Sequence, residues 1–389
     1  MSLMRFAGTG LIRSRLRLCL FTGLVCTALA STAALPPVNQ PPSLHESFAS
    51  RFAIGFGTEV TSGARMDLVH RHASIVTCEN SLKPGALRAE PDVWNWEKAD
   101  AWLAWTESLG KTPIGHTLVW GYMQPKWLLE RIAAGKMDAT SVLRWQDDHI
   151  RTVLARYGER IRIWDVVNEA LADGPDDAYL RNDPWANLCG EAYVIEAFRS
   201  ARAAAPRAHL RYNDYNLEQP AKRARLLRLL KQLEAAGCRP DSVGIQGHWT
   251  LKGPPASEVE AAIIEINAAG YSVDFTEIDV SIYAWIAGAN LQEPRNETAT
   301  PPGYQTLPDE LQAQLTERYR EVFRVFVKHA DKIGRVTFWN VDDGSTWLNV
   351  WPVRGRPNHP LLFDRQQQPK PAFWAVLGEA ETCLPTTTR

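Results

Sequence analysis

The sequence predicts an α/β fold, a single-domain (β/α)8 TIM barrel. Three observations carry that prediction. Short apolar, β-branched runs recur eight times, and longer helical patterns separate most of them. Two of the runs stop at a carboxylate, Glu169 and Glu277. Reactive groups gather in this way at the C-terminal strand ends of a parallel barrel. No Gly-rich phosphate loop follows the first run, which argues against an open doubly wound sheet.

Residues 1–30 differ from the rest. Arg5, Arg13, Arg15 and Arg17 precede an apolar run from Leu18 to Ala30, no acid occurs there, and Ala28-Leu29-Ala30 offers a small-residue cleavage site. This reads as a signal peptide, removed as the protein is exported to the periplasm or secreted. The run is short for an anchoring helix, and no later segment is long and apolar enough to span a bilayer. Residues 31–43 are Pro-rich and read as a disordered lead-in. The catalytic domain is expected over residues 44–380, with 381–389 as a C-terminal tail.

The expected strands are Phe52–Gly57, Ser74–Cys78, Thr112–Thr117, Ile161–Val167, Leu210–Tyr212, Val243–Gln246, Val273–Thr276 and Val336–Phe338. Helical patterns lie at Lys98–Leu109, Val142–Arg156, Ala192–Ala204, Ala221–Ala236, Glu258–Ala268 and Leu311–His329. In Ala221–Ala236, Leu226, Leu227, Leu229, Leu230 and Leu233 oppose Lys222, Arg223, Arg225, Arg228 and Lys231, and Gly237 stops the pattern. Ser281–Pro308 is the largest insertion. No second domain, internal repeat or linker to a separate module is visible.

Of 389 residues, 45% are apolar and 22% charged, an ordinary globular balance with enough chain for a sizeable core. Removing the four leader arginines leaves 39 basic against 44 acidic residues, a net charge of −5. A mildly acidic surface argues against nucleic acid or an anionic membrane as partner and suits a neutral polysaccharide. The 15 tryptophans suit stacking on sugar rings. Cys19 and Cys26 lie in the leader. Cys78, Cys189, Cys238 and Cys383 are widely spaced, without zinc-type spacing, and their pairing cannot be read from the sequence. No cofactor or metal is expected: there is no H-E-x-x-H or strand-end H-x-H, and His70 and His72 read as exposed helix residues.

The chemistry rests on the two carboxylates. Trp164, Val166 and Val167 precede Glu169, while Phe275 and Ile278 flank Glu277. Partial desolvation at the barrel top raises a carboxyl pKa and donor neighbours lower it. That contrast separates an acid from a nucleophile. Facing one sugar bond, such a pair makes a glycosidase.

Longer blocks sharpen the reading. Glu79-Asn80-Ser81-Leu82-Lys83, Gly115-His116-Thr117-Leu118-Val119-Trp120, Trp164 to Ala170, Tyr212-Asn213-Asp214-Tyr215-Asn216, Gly244-Ile245-Gln246-Gly247-His248 and Thr276-Glu277-Ile278-Asp279 occur in that order. Trp339, Trp347, Pro360-Leu361-Leu362-Phe363-Asp364 and Pro369-Lys370-Pro371 follow. From about Gly55 to Leu377 the chain resembles glycoside hydrolase family 10, the barrel endo-β-1,4-xylanases. The resemblance implies a retaining mechanism with Glu169 as acid/base and Glu277 as nucleophile. It implies that Asn168 contacts the 2-OH of the sugar being cleaved, that His248 orients Glu277, and that Asp279 holds His248 or a nearby donor. Glu79, Asn80 and Lys83 are implied for hydroxyls on the non-reducing side, and His116 for the sugar in the cleavage subsite. Trp120, Trp339 and Trp347 are implied as its walls. Asn213 and Gln246 are either binding or structural. The implied substrate is xylan or a xylo-oligosaccharide, and the implied enzyme a monomer.

Three departures from the family pattern stand out. Gly121-Tyr122-Met123 replaces H-x-Q, which removes a polar Gln from the second sugar's site. Pro84 follows Lys83 where Trp is common. The late W-G is Trp339-Asn340. Two other readings remain open: a barrel glycosidase on short xylo-oligosaccharides or another β-glycan, and a non-catalytic carbohydrate-binding or inhibitor protein. The presence of both glutamates argues against the last.

Overall fold

The structure, a computed structural model, describes residues 41–174, 178–286 and 303–381. Within them, eight parallel strands close a barrel. They are β1 (Ala53–Thr58), β2 (Ile75–Cys78), β3 (Thr112–Gly115), β4 (Ile163–Asn168), β5 (His209–Tyr215), β6 (Ser242–Gln246), β7 (Ser272–Ser281) and β8 (Ile333–Trp339). Each pairs with its successor. β8 pairs with β1, Ala53 opposite Arg335 and Gly57 opposite Trp339, so no edge is left open. The leader, most of the Ser281–Pro308 insertion, Cys383 and the tail from residue 382 lie outside the described residues.

All eight strands occur where the sequence places them, with shifted ends. The largest shift is instructive. β7 does not stop at Glu277 but runs on to Ser281, because the short strand His248–Thr250 pairs with Asp279–Ser281 and extends the ladder upward. Glu277 therefore lies within a strand, whereas Glu169 follows the last residue of β4.

The six expected helices are present as α1 (Glu97–Ser108), α2 (Ala139–Tyr157), α3 (Ala192–Ala204), α4 (Pro220–Ala235), α5 (Ala256–Ala268) and α6 (Asp309–Lys328). Further helices occur at Gly63–His72, Lys126–Ala133 and Pro371–Glu381. The first buries only Val69 and His72, so its apolar stripe is too thin to read from pattern. His72 corrects an expectation: it is fully buried, not exposed, while His70 is exposed. Its ring sits 5.0 Å from Phe363 and 5.4 Å from Phe373, and Nδ1 accepts the Leu44 N–H. Burial and the neighbouring Arg71 push its pKa down to about 3.

The barrel interior is layered. Ile75, Ile114 and Ile163 form a small apolar cluster at the strand starts, with Ala53 against it. Above it lies an ionic chain. Arg211 on β5 donates from Nε to Asp165 on β4 at 2.6 Å and from Nη1 to Asp274 on β7 at 3.0 Å, and Arg335 on β8 reaches Asp274 at 3.1 Å. Burial alone pushes both aspartates up, but the arginines hold each below the usual carboxylate range. Cys78, Cys189 and Cys238 are free thiols.

Candidate active site

Glu169 and Glu277 both open at the upper end of the barrel and are almost fully buried, 6% and 5% exposed. Glu169 has a left-handed backbone, φ 59°, and its N–H donates to the Asn213 carbonyl at 2.8 Å. That turn brings the side chain back over the barrel mouth instead of continuing the strand. Its carboxylate accepts from Trp120 Nε1 at 3.0 Å, Arg181 Nη1 at 3.0 Å and Gln246 Nε2 at 3.1 Å. Burial raises the Glu169 pKa. Arg181 pulls against that, Asp214 and Glu277 push further up, and the net direction is upward.

Glu277 has a different setting. Its Oε1 accepts from Asn213 Nδ2 at 2.8 Å, and Oε2 lies 3.1 Å from His248 Nε2. The other ring nitrogen of His248 is 3.0 Å from Asp279 Oδ2, which also accepts from Trp347 Nε1 at 2.7 Å. Burial lowers the His248 pKa, but Asp279 and Glu277 outweigh it and raise it to about 10. Burial likewise pushes Glu277 up, but His248, His116 and Asn213 bring it below its ordinary value. The two carboxylates are thus shifted in opposite directions.

They are also mechanically joined. Asn213 Nδ2 donates to both Glu277 and the Asn168 Oδ1, and Gln246 Nε2 donates to both Asn168 Oδ1 and Glu169. Asn213 and Gln246, left open by the sequence, therefore form the bridge between the acids. Asn168 Nδ2 is buried without a protein partner. A buried donor left over in this way is a group available to a ligand hydroxyl.

The other expected residues gather here too. Lys83 Nζ donates to Asn80 Oδ1 at 2.9 Å and lies 5.0 Å above the Trp120 ring. Burial lowers its pKa, and Glu79, Glu277 and Glu169 oppose that. Glu79 is raised by burial and drawn back by Asn340 and Lys83. His116 is held by Asp165 at 2.9 Å, at the top of the ionic chain, with its ring 5.5 Å from Trp339. Trp347 lies 5.0 Å from the His248 ring.

Sequence reasoning missed several supports. Glu59, just beyond β1, accepts the N–H groups of Asn80 at 2.6 Å and Ser81 at 2.9 Å, which fixes the Glu79–Lys83 segment. Arg181 was invisible because it lies on the loop that folds back after Glu169. The one available signal was an arginine beside apolar Leu180, shortly before the helix Pro184–Cys189.

Comparison with known proteins decides the family. The model described as glycosyl hydrolase family 10 matches residues 43–379. The chain belongs to glycosyl hydrolase family 10. It is 36% identical over 337 residues to a β-1,4-xylanase of Dictyoglomus thermophilum, spanning 86% of this chain and 90% of that one. It is also 36% identical to endo-1,4-β-xylanase B of Paenibacillus barcinonensis, over 87% and 98%. Among solved structures, a mutant in complex with xylotriose superimposes with a TM-score of 0.78 at 31% identity, over 87% of this chain and 99% of that one.

The departures at Asn340, Gly121 and Pro84 have physical reasons, and nothing in the structure explains Met123. Asn340 has φ 78°, so it stands where glycine is favoured, and Asn is the side chain that tolerates this region best. Its Oδ1 also accepts the Trp347 N–H at 3.0 Å. A Cβ on Gly121 would come within 2.6 Å of the buried Asp183 carboxyl group, which would have to shift to admit it. Pro84 starts the short helix Pro84–Leu87, where its missing N–H costs nothing. Met123 is 39% exposed, and the neighbouring Gln124 is turned inward, donating to the Trp120 carbonyl at 2.9 Å.

Proposed function

We propose that this protein is an endo-β-1,4-xylanase that cleaves internal xylosidic bonds with retention of configuration. The carrying observation is the pair of buried, bridged carboxylates with opposite pKa shifts. The relatives named as xylanases and the xylotriose bound to a structural neighbour support xylan or a xylo-oligosaccharide as substrate.

In the first step Glu277, ionised beside His248 and Asn213, attacks the anomeric carbon. The glycosidic C–O bond breaks, and the leaving oxygen takes the proton of Glu169. A glycosyl ester on Glu277 results. In the second step Glu169, now a carboxylate, takes a proton from water. The water oxygen bonds to the anomeric carbon and Glu277 leaves as a carboxylate. The unpartnered Asn168 Nδ2 is placed to donate to the 2-OH of the sugar being cleaved, a contact that strengthens as the transition state forms. Asp279 and Trp347 fix His248, and Glu79, Asn80 and Lys83 take hydroxyls on the non-reducing side, with Trp120, Trp339 and Trp347 as walls. The basic and then apolar residues 1–30 support export, after which the enzyme works as a monomer.

The test is xylan hydrolysis with EDTA present, for the native protein and Glu277→Ala, with the anomer of the first product read by NMR. Expected are chelator-resistant activity, β-configured product and loss of activity by several orders of magnitude in the variant. An α-configured first product, or a fully active variant, overturns the reading.

A further inference from the structure

Among the described residues Arg181 is the one cation that hydrogen-bonds the acid/base, and the proposed mechanism gives it no task. It reaches Glu169 from a loop that doubles back on β4. The Arg181 N–H donates to the Ala170 carbonyl at 2.8 Å, and Leu171 bridges Leu180. Its guanidinium is 9% exposed and donates from Nη1 to Glu169 Oε2 at 3.0 Å. Two tyrosine rings flank it, Tyr122 at 5.1 Å and Tyr215 at 4.8 Å. Rings stabilise the cation without neutralising it. Nε and Nη2 make no hydrogen bond, and Nη2 stays 3.7 Å from Asp173. Tyr215 donates its hydroxyl to that same Asp173, which ties it down. Glu169 is therefore the carboxylate that Arg181 engages by a direct hydrogen bond.

We propose that Arg181 is a positioning residue for the second half-reaction: its guanidinium aims the Glu169 carboxylate and holds it ionised once Glu277 has been esterified, so that Glu169 can take the proton of water. The inference rests on the reading of Glu169 as acid/base.

The physical reason lies in how the charges around Glu169 change during the cycle. In the free enzyme burial, with the negative Asp214 and Glu277, raises the Glu169 pKa, and Arg181 opposes them. Esterification neutralises Glu277 and removes its repulsion. The attraction of Arg181 remains, because arginine does not lose its proton. The same cation therefore meets less opposition after glycosylation than before it, and the balance at Glu169 moves toward the carboxylate. The other titratable groups facing the pair are Lys83 beyond β2, Tyr122 beyond β3, Asp173 and Asp183 on the loop, Asp214 and Tyr215 on β5, Lys222 on α4, which pairs with Asp173 and Asp214, and Glu277 on β7. Of these, Glu277 alone changes charge during the reaction.

The experiment compares native enzyme with Arg181→Met and Arg181→Lys on two substrates across pH. For a xylo-oligosaccharide, kcat/KM falls as pH rises through the Glu169 pKa of the free enzyme. Loss of Arg181 raises that pKa, so the alkaline limb in Arg181→Met moves up by about 1–3 units. For 2,4-dinitrophenyl β-xylobioside the leaving group needs no proton, so kcat reports the second step, in which Glu169 must be ionised. There the acid limb moves up and kcat at pH 5 falls at least tenfold, with Arg181→Lys recovering most of the loss. A merely structural role moves neither limb. Unchanged limbs in a folded Arg181→Met, or equal loss in Met and Lys variants with native pH profiles, overturn the proposal. If Arg181→Met does not fold, limbs identical to native in Arg181→Lys with kcat lowered equally on both substrates overturn it too. Glu169→Ala with azide checks the underlying reading separately: rescue by azide on the activated substrate upholds Glu169 as acid/base whatever the arginine variants do.

Discussion

Asp279→Asn isolates one charge that supports the lowered pKa of Glu277, the proposed nucleophile. Asp279 is fully buried and reaches Glu277 only through His248, whose Nδ1 lies 3.0 Å from Asp279 Oδ2. His248 carries a positive charge at neutral pH because its pKa is raised to about 10. The substitution keeps size and an acceptor for Trp347, and removes one negative charge. An opposite charge at this range is worth about 1–3 pKa units, each about 1.4 kcal/mol. The imidazolium pKa then drops toward its ordinary value, and Glu277 loses part of its positive partner. The Glu277 pKa is lowered in the native enzyme, so losing that support raises it. The nucleophile acts only when ionised, so the acid limb of kcat/KM moves to higher pH by about one unit. The assay is initial rate on a xylo-oligosaccharide from pH 3 to 9, with the His248 ring titrated by NMR. Stability gives an independent check of sign. A histidine raised to about 10 contributes stability fully present below its unfolded pKa near 6.5 and lost as pH rises through 10. The variant's drop in Tm is therefore larger at pH 6 than above pH 10. A native acid limb with rates within twofold refutes the coupling of Asp279 to the nucleophile.

Two further outcomes follow from the same physics. Met123→Gln restores an amide at an exposed position beside the cleft and lowers KM for xylo-oligosaccharides about fivefold, the worth of one hydrogen bond; unchanged subsite affinities count against Met123 as a binding departure. Arg211→Met leaves Asp165 and Asp274 facing each other inside the barrel without their shared cation, and costs about 3–5 kcal/mol in urea unfolding, with His116 loosened because Asp165 holds it. A variant as stable as the native protein shows that the ionic layer is not the brace it is taken for.

Particular residues mark how far the sequence could be read. The strands were legible because buried parallel strands are continuous apolar runs, and Glu169 and Glu277 stood out as charges ending or interrupting such runs. His72 was misread because burial of one face of a weakly amphipathic helix depends on Phe363 and Phe373, nearly three hundred residues away. Glu277 was placed at a strand end because its ladder continues through Phe338 opposite Ile278 and then through His248–Thr250, pairings that no local pattern encodes. Arg181 and Glu59 were missed because each works through a fold-back: a loop returning to Ala170 for one, a strand end reaching Asn80 and Ser81 for the other.

By itself the amino-acid order determined the alternation of strands and helices, the two acids and the ordered blocks around them, since these depend on periodicity and residue type along the chain. Only the folded barrel decided which way each acid's pKa is shifted. That choice comes from burial, from Arg181 on one carboxylate and from the His248–Asp279 pair on the other, and electrostatic energy depends on distances through space rather than along the backbone.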